Sequence, residues 1–351
     1  MERSQKCSPL QTDMATEVVS ILAVNQGDIA SYNQAKVLLD KFSWQQLAPV
    51  EGKIAYQHGK VRMWLFEDGI LFEDNIDKRW NIATGEIVSE VIFPSRHAAA
   101  SGKPSLTLHP IGVPHLPRGT KSQYGGKSGY APPPSTRLAS WWKKLTNSVN
   151  GTSLAERYEL TLEVTHHGPW LEVPALFIEI GSTEAIWPDE EAAEHLAGII
   201  AEGLGLDGTK QDGVWDPVEH SGEFVLVTLG GGHYAPRANK LALLDGVWLG
   251  HMLATYALPF DKPEEEGSLP GGTWSQSISQ ALAATKMAFP GGKIICSMDK
   301  KAFRGWQRQA IRDYLSARNI PLLTTKQILE LLGTCLLYTS DAADEEDSVD
   351  L

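Results

Sequence analysis

The stretch EVVSILAVNQGDIASYNQAKVLLDKF, residues 17–42, decides the fold class. Residues 17–28 predict a strand that ends in a turn, because an apolar, β-branched run is followed by Asn, Gly and Asp. Residues 29–42 have apolar side chains at helical spacing. A strand that passes directly into a helix is how an α/β fold begins.

Strands and helices alternate along most of the remaining chain. Further strands are predicted at 90–97, 105–112, 160–166, 175–184, 223–229 and 291–299, and helices at 136–149, 188–205, 275–289 and 303–319. Residues 60–74 predict a hairpin-like pair of strands around Asp68-Gly69. We therefore expect one α/β domain over residues 17–333, with a mixed, largely parallel sheet flanked by helices and a Pro/Gly-rich insertion at about 114–135.

The composition is that of a water-soluble globular protein, with 42% hydrophobic and 21% charged residues in 351. The sequence has no apolar run of about 18 residues, so no membrane span is expected. The N-terminus lacks the apolar stretch of a signal peptide, which favours the cytoplasm or else the nucleus. Only three cysteines occur, at no metal-ligand spacing, and this fits a reducing compartment.

The formal net charge of −12 argues against an extended nucleic-acid surface and against DNA as a partner. Six of the acids lie in residues 334–351, which contain no Lys or Arg and resemble a translated cloning adaptor. We expect this tail to be disordered and non-native, and residues 1–16 to be disordered. Without the six acids the net charge is −6, so any RNA contact requires a local basic patch.

The most basic segment of the chain spans residues 114–144. Its candidate RNA-binding side chains are Arg118, Lys121, Lys127, Arg137, Lys143 and Lys144. Trp141 or Trp142 could stack on a base within such a patch. The alternative interpretation is a solvated charged face with Trp142 in the core.

Polar residues end five of the predicted strands. They are Asp28, His97, His109, the pair His166-His167, and His233. In LTLEVTHHGPW, residues 160–170, the alternation predicts a half-buried strand. While that strand stays regular, at most one of the paired histidines lies on the core face. One packed and one solvated histidine would explain that pair alone. Several histidines at strand ends favour a shared site, because loops converge outside the carboxyl ends of strands.

The chemistry of such a site stays open on the residues alone. Backbone N–H groups of Gly230, Gly231 and Gly232 could hold an oxyanion, or form only a tight turn. The histidines could bind Zn²⁺ together with Glu163 or Glu179, although no HExxH or CxxC spacing occurs. Ser182 is better explained by a turn or a cap than as a nucleophile, because no GxSxG motif surrounds it.

Several long blocks resemble the archaeal and plant-type D-aminoacyl-tRNA deacylase family. They include SRHAAASGKPSLTLHPIGVPHL (95–116), LEVTHHGP (162–169), FIEIGSTEAIW (177–187), TLGGGHYAPR (228–237) and GGTWSQSISQALAATKMAFPGGKI (271–294). The resemblance covers about residues 17–320 and is closer to the plant branch.

This resemblance implies hydrolysis of the ester that joins a D-amino acid to the terminal ribose of tRNA, including aldehyde-modified D-aminoacyl groups. It implies a phosphorylase/hydrolase-like fold with a peptidyl-tRNA-hydrolase-like core, and a monomer or dimer that binds tRNA. It also implies zinc, with ligands drawn from His97, His109, His166, His167 and His233. His109, His166, His167 and His233 are the expected catalytic residues, and the Gly230–Gly232 amides the expected oxyanion donors.

Two other functions remain compatible with the sequence. A zinc-dependent amidase or peptidase acting on small D-amino-acid derivatives would show no salt-dependent affinity for tRNA. A non-catalytic tRNA-binding protein would need the patch of residues 118–144 and not the histidines.

Overall fold

The computed structural model of the protein describes residues 16–263, 265 and 268–333. The predicted disorder of residues 1–16 and 334–351 therefore falls, apart from residue 16, outside the described residues. Within them, no helix is both long and apolar enough to cross a membrane.

Eleven strands form two sheets in the described part of the chain. They are β1 (Val18–Asn25), β2 (Gln45–Gln46), β3 (Ala55–His58), β4 (Val61–Phe66), β5 (Ile87–Ala98), β6 (Ser105–His109), β7 (Glu159–Leu162), β8 (Ala175–Ser182), β9 (Phe224–Leu229), β10 (Val247–Leu253) and β11 (Lys293–Met298). The large sheet has the order β2-β3-β4-β1-β5-β8-β6-β7, and the small one β10-β9-β11.

Most strand pairs are parallel. In the large sheet only β2-β3, β3-β4 and β6-β8 are antiparallel, and the small sheet is parallel throughout. The predicted mixed, largely parallel α/β fold is thus confirmed.

Helices flank the sheets. They are α1 (Ile29–Lys41), α2 (Ile76–Thr84), α3 (Leu138–Val149), α4 (Ser153–Arg157), α5 (Glu190–Leu204), α6 (Pro236–Leu241), α7 (Trp274–Ala288), α8 (Gly305–Ser316) and α9 (Thr325–Leu331), with short 3₁₀ turns at Ile70–Phe72, Thr255–Ala257 and Lys300–Ala302. Asp28, predicted at a strand end, caps α1 by accepting from the N–H groups of Ala30 and Ser31.

The two faces of the large sheet bury different sets of residues. Leu106, Leu108 and Ile178 share one apolar core with α3 and α5. Phe93 and Phe177 point the other way, into a second core. Because side chains alternate along a strand, His97, His109 and Glu179 lie on this second face.

Two local predictions were wrong. The hairpin lies around Gly59-Lys60, between β3 and β4, and not at Asp68-Gly69, where the chain enters a 3₁₀ turn. The strand predicted over 160–166 ends at Leu162, because the following backbone turns to the small sheet. Residues 114–135 contain no helix or strand beyond an isolated bridge at Pro134, as predicted.

Candidate active site

Three neighbouring strands of the large sheet place polar side chains on one face. Glu179 of β8 pairs with Ser95 of β5 and with Thr107 of β6. Alternation then puts His97, two residues beyond Ser95, and His109, two beyond Thr107, on the face of Glu179. Oε2 of Glu179 lies 3.6 Å from Nδ1 of His97 and 3.5 Å from Nε2 of His109.

Gly181 makes room for the ring of His97. A Cβ at this position would lie 2.8 Å from Cδ2 of His97 and 2.7 Å from Oγ of Ser105. Since β5 pairs His97 with Gly181, any larger residue would push the imidazole off the face. The glycine is therefore part of the site's construction.

The segment after β7 brings a carboxylate and two histidines to the same place. The N–H groups of Val164 and Thr165 donate to the carbonyls of His233 (3.0 Å) and Met252 (2.7 Å). His167 has a positive φ of 36°, which breaks the strand alternation, so both paired histidines face the site. The expectation of at most one applied to a regular strand, and the strand ends at Leu162, before the pair.

We call the resulting group the His/Glu cluster. Its members are His97, His109, Glu163, His166, His167, Glu179 and His233. Glu163 is at the centre and has no solvent exposure. Its Oε2 accepts from Nε2 of His233 at 2.9 Å and lies 3.6 Å from Nε2 of His166, while its Oε1 lies 3.1 Å from Nδ1 of His97.

The rings of His109, His166 and His167 pack together. Their centroids are 4.2–4.9 Å apart. Backbone carbonyls fix one nitrogen of each ring, namely those of Pro110, Val164 and Gly168. Each ring therefore directs its other nitrogen, Nε2, away from its own backbone.

Burial and neighbouring charges separate the pKa values in the cluster. Burial, together with the charge of His109, lowers the pKa of His166 well below its usual value and that of His167 to about 3. Burial also opposes charge on His109, but Glu179 outweighs it and raises the pKa of His109. For Glu163, burial is outweighed by the hydrogen bond from His233 and by the nearby histidines, so its pKa is lowered. The neutral imidazoles of His166 and His167 thus lie beside the ionised carboxylate of Glu163.

The donor set fits a metal such as Zn²⁺. Three overlapping groups each have all ligand atoms within 4.8 Å of one another: His109-His166-His167, Glu163-His166-His233 and His97-Glu163-Glu179. Among the described residues, Nε2 of His109 and Oε1 of Glu163 are buried without a hydrogen-bond partner. Unpartnered buried polar atoms are costly, and a cation held by His109-His166-His167 would offset that cost for Nε2 of His109.

The sequence comparisons agree on one family. A family model for D-aminoacyl-tRNA deacylase matches residues 84–323. A D-aminoacyl-tRNA deacylase of Arabidopsis thaliana is 43% identical over 310 residues, covering 86% of this chain and 97% of the relative. The chain belongs to the D-aminoacyl-tRNA deacylase family.

Archaeal members and a solved structure extend this comparison. A deacylase of Methanosarcina barkeri is 32% identical, covering 87% of this chain and 89% of the relative. A crystal structure of a conserved protein of unknown function shares the fold, with a TM-score of 0.70 at 23% identity, over 90% of this chain and 98% of that one.

In this deacylase the three glycines predicted to hold an oxyanion differ in whether their backbone N–H groups already have acceptors. The N–H of Gly230 donates to the carbonyl of Leu253 and that of Gly231 to Oγ1 of Thr255. These two amides already have acceptors. In the described part of the chain, only the N–H of Gly232 among the three has no protein acceptor.

The six predicted tRNA-binding cations fall into two groups. Arg118, Lys121 and Lys127 are exposed on the insertion. By contrast Arg137 is buried, with Nη2 2.6 Å from Glu90, so its predicted RNA contact is wrong. In α3, Lys143 pairs with Asp245 and the Leu244 carbonyl, and Lys144 with Glu202.

The predicted stacking residues are also in the core. Trp141 and Trp142 are buried on the sheet face opposite the cluster. Ser182 is buried too, and its hydroxyl donates to the carbonyl of Lys103, which fits the structural role expected for it.

A cleft of about 480 Å³ opens beside His233. Its polar lining includes Ser101, Lys103, Thr161, Tyr234 and Asn239. His233 is 33% exposed and His166 20%, whereas His97 and His109 are 7% and 0% exposed. His233 lines the cleft and is thus the histidine of the cluster that a substrate bound there would meet.

Two tyrosines of the site could not be predicted from the spacing of residues in the sequence. The hydroxyl of Tyr256 lies 3.1 Å from Nδ1 of His233, and that of Tyr234 lies 3.3 Å from Nε2 of His97. Burial, with the charge of Glu163, raises the pKa of Tyr256 to about 12. Tyr234 lies within a block that resembles the family, but its role depends on contacts distant in sequence.

Proposed function

We propose that this protein hydrolyses the ester bond of D-aminoacyl-tRNA at the His/Glu cluster, releasing the D-amino acid and free tRNA. One observation carries the proposal: five of the chain's ten histidines converge on the buried carboxylates of Glu163 and Glu179 at the edge of an open cleft. Membership of the deacylase family supplies the substrate class.

The cluster has the parts that ester hydrolysis requires. A neutral imidazole can take the proton of the attacking water, and a carboxylate behind it stabilises the imidazolium that forms. His233 lines the cleft and is 33% exposed, and its Nε2 bonds to Glu163. We assign His233 as the group nearest the reacting ester, with His166 beside it. The N–H of Gly232, next to His233 in the chain, is the remaining candidate oxyanion donor.

Zinc is part of the proposal. His109, His166 and His167, or His166 and His233 with Glu163, are the residues that would hold it. When bound, such an ion supplies Lewis acidity and lowers the pKa of a coordinated water to about 7. In either arrangement Glu163 and Glu179 hold the histidine rings in place.

We propose that tRNA binds along the insertion, residues 114–135. The N–H of Gly168 donates to the carbonyl of Tyr124, so the loop lies directly against the turn after His167. Tyr124 and Phe72 are each 59% exposed. Their segments are in contact, because Gly125 packs against the backbone of Leu71. Exposed aromatic rings beside cations bind single-stranded nucleic acid by stacking and charge. We infer that the unpaired 3′ end of tRNA follows this surface.

The aldehyde-modified substrates implied by the resemblance fit the same chemistry. Modification at the amino nitrogen leaves the ester unchanged, so one site would serve both substrates. We place the reaction in the cytoplasm, where charged tRNA is used in translation.

Hydrolysis of D-Tyr-tRNA and L-Tyr-tRNA by the full chain, with and without a chelator, tests the proposal. We expect rapid release of D-Tyr, little release of L-Tyr, and loss of activity in His166→Ala. Cleavage of small D-amino-acid amides with no activity on D-Tyr-tRNA would favour an amidase. Binding of tRNA without hydrolysis of either ester would indicate a non-catalytic protein.

A further inference from the structure

Two tyrosine hydroxyls lie at the outer edge of the His/Glu cluster, each against a histidine that faces Glu163. Tyr256 contacts Nδ1 of His233, whose Nε2 is 2.9 Å from Oε2 of Glu163. Tyr234 contacts Nε2 of His97, whose Nδ1 is 3.1 Å from Oε1 of Glu163. Glu163 thus has one Tyr-His pair on each of its two oxygens.

The protons in this arrangement follow from the chemistry of the groups. A carboxylate only accepts hydrogen bonds, so Nε2 of His233, which bonds to Oε2 of Glu163, carries the ring proton. The opposite nitrogen of that ring, Nδ1, then accepts from the O–H of Tyr256. Each tyrosine therefore holds its histidine in one ring orientation, and because a hydroxyl can donate or accept, it can do so with either tautomer.

The same contacts would serve a loaded site. If His233 held a cation through Nε2, or His97 through Nδ1, the opposite nitrogen would carry the ring proton and donate a hydrogen bond to the tyrosine oxygen. Groups that hold the second nitrogen of a ligating histidine commonly set ligand orientation and metal affinity.

Both tyrosines are held in place by their backbones. The carbonyl of Tyr234 accepts from Oγ1 of Thr161 and from Nδ2 of Asn239. Next to Tyr256, Thr255 bonds through Oγ1 to both the N–H and the carbonyl of Gly231. The glycine turn after β9 therefore supports the tyrosines.

We propose that Tyr234 and Tyr256 are positioning residues for the deacylation reaction, which hold the rings of His97 and His233 in orientation around Glu163. This inference rests on the proposed function. Tyr234 and Tyr256 are 37% and 50% exposed, so removing either hydroxyl leaves the packing of the core almost unchanged.

The test is Tyr234→Phe and Tyr256→Phe in the full chain, with Tyr32→Phe, a 39% exposed tyrosine on α1, as the control. We expect each variant to reduce kcat on D-Tyr-tRNA about 10- to 100-fold, with KM within about twofold and the melting temperature unchanged. Zinc affinity, measured by competition with a chromophoric chelator, should fall by a similar factor.

The outcomes separate this inference from the proposed function. If the wild type does not hydrolyse D-Tyr-tRNA, the proposed function fails. If the wild type is active and both Phe variants keep kcat within twofold, the positioning role is wrong. A rise in KM alone, at constant kcat, would also overturn it, because that result would place the hydroxyls on the substrate.

Discussion

Removing the two lysines of the insertion, in Lys121→Ala/Lys127→Ala, should weaken tRNA binding in a salt-dependent way. Both lysines are exposed, and neither forms an ion pair within the described residues. Lys127 lies 4.4 Å from the centroid of the Tyr130 ring and 5.0 Å from that of Trp170. These contacts leave its charge available to phosphate.

The matched control is Lys143→Ala/Lys144→Ala, which removes the same charge from α3. Those lysines already pair with Asp245 and Glu202 on the other face of the sheet. The two double variants have the same net charge, so a difference between them reports location alone.

The magnitude follows from counterion release. Each phosphate contact to a single strand contributes about −0.7 to the slope of log K against log salt. Two lost contacts reduce the slope by about 1.4, so between 50 and 200 mM salt the wild type should lose about sevenfold more affinity than the variant.

Fluorescence anisotropy with deacylated tRNA across this salt range measures the slope. The insertion variant should have the shallower slope and the α3 variant the wild-type slope. Equal slopes for all three proteins would refute the assignment of the insertion as the tRNA surface. A change confined to the α3 variant would place the tRNA contact on Lys143 and Lys144 instead.

Two substitutions test how the fold supports the site. Gly181→Ala should displace His97, since the added Cβ would lie 2.8 Å from that ring. We expect at least a tenfold loss of kcat, measured by turnover, and a loss of about 1–3 kcal/mol in the free energy of unfolding, measured in urea. An unchanged kcat would show that the close packing of His97 on Gly181 is not needed for activity. Arg137→Ala should lower the unfolding free energy by about 3–5 kcal/mol, because Glu90 would be buried without its partner. Its KM for tRNA should stay unchanged in the remaining folded protein; a higher KM at unchanged stability would mean that Arg137 contacts RNA after all.

The sequence predicted most elements because periodicity is a local property. β1 and α1, for example, follow directly from residues 17–42. Convergence of the histidines was also predictable, since His97 and His109 end strands. The antiparallel direction of β6 could not be predicted, because a strand's pattern is the same whichever way its neighbour runs.

What could not be predicted depends on partners that are distant in the chain. Arg137 is buried by an ion pair with Glu90, 47 residues away, and Lys144 pairs with Glu202, 58 residues away. The amides of Gly230 and Gly231 are taken by residues of the next strand and turn. The sequence around each of these residues looks the same whether the residue binds a substrate or a distant part of its own chain.

Glu163→Gln tests the central claim most directly, because Glu163 joins His97, His166 and His233 and is fully buried. Single-turnover hydrolysis of D-Tyr-tRNA should slow by about 10²- to 10⁴-fold, while exposed Glu172→Gln keeps the wild-type rate and both variants fold. A Glu163→Gln rate within about threefold of the wild type would contradict the assignment of the His/Glu cluster as the active site.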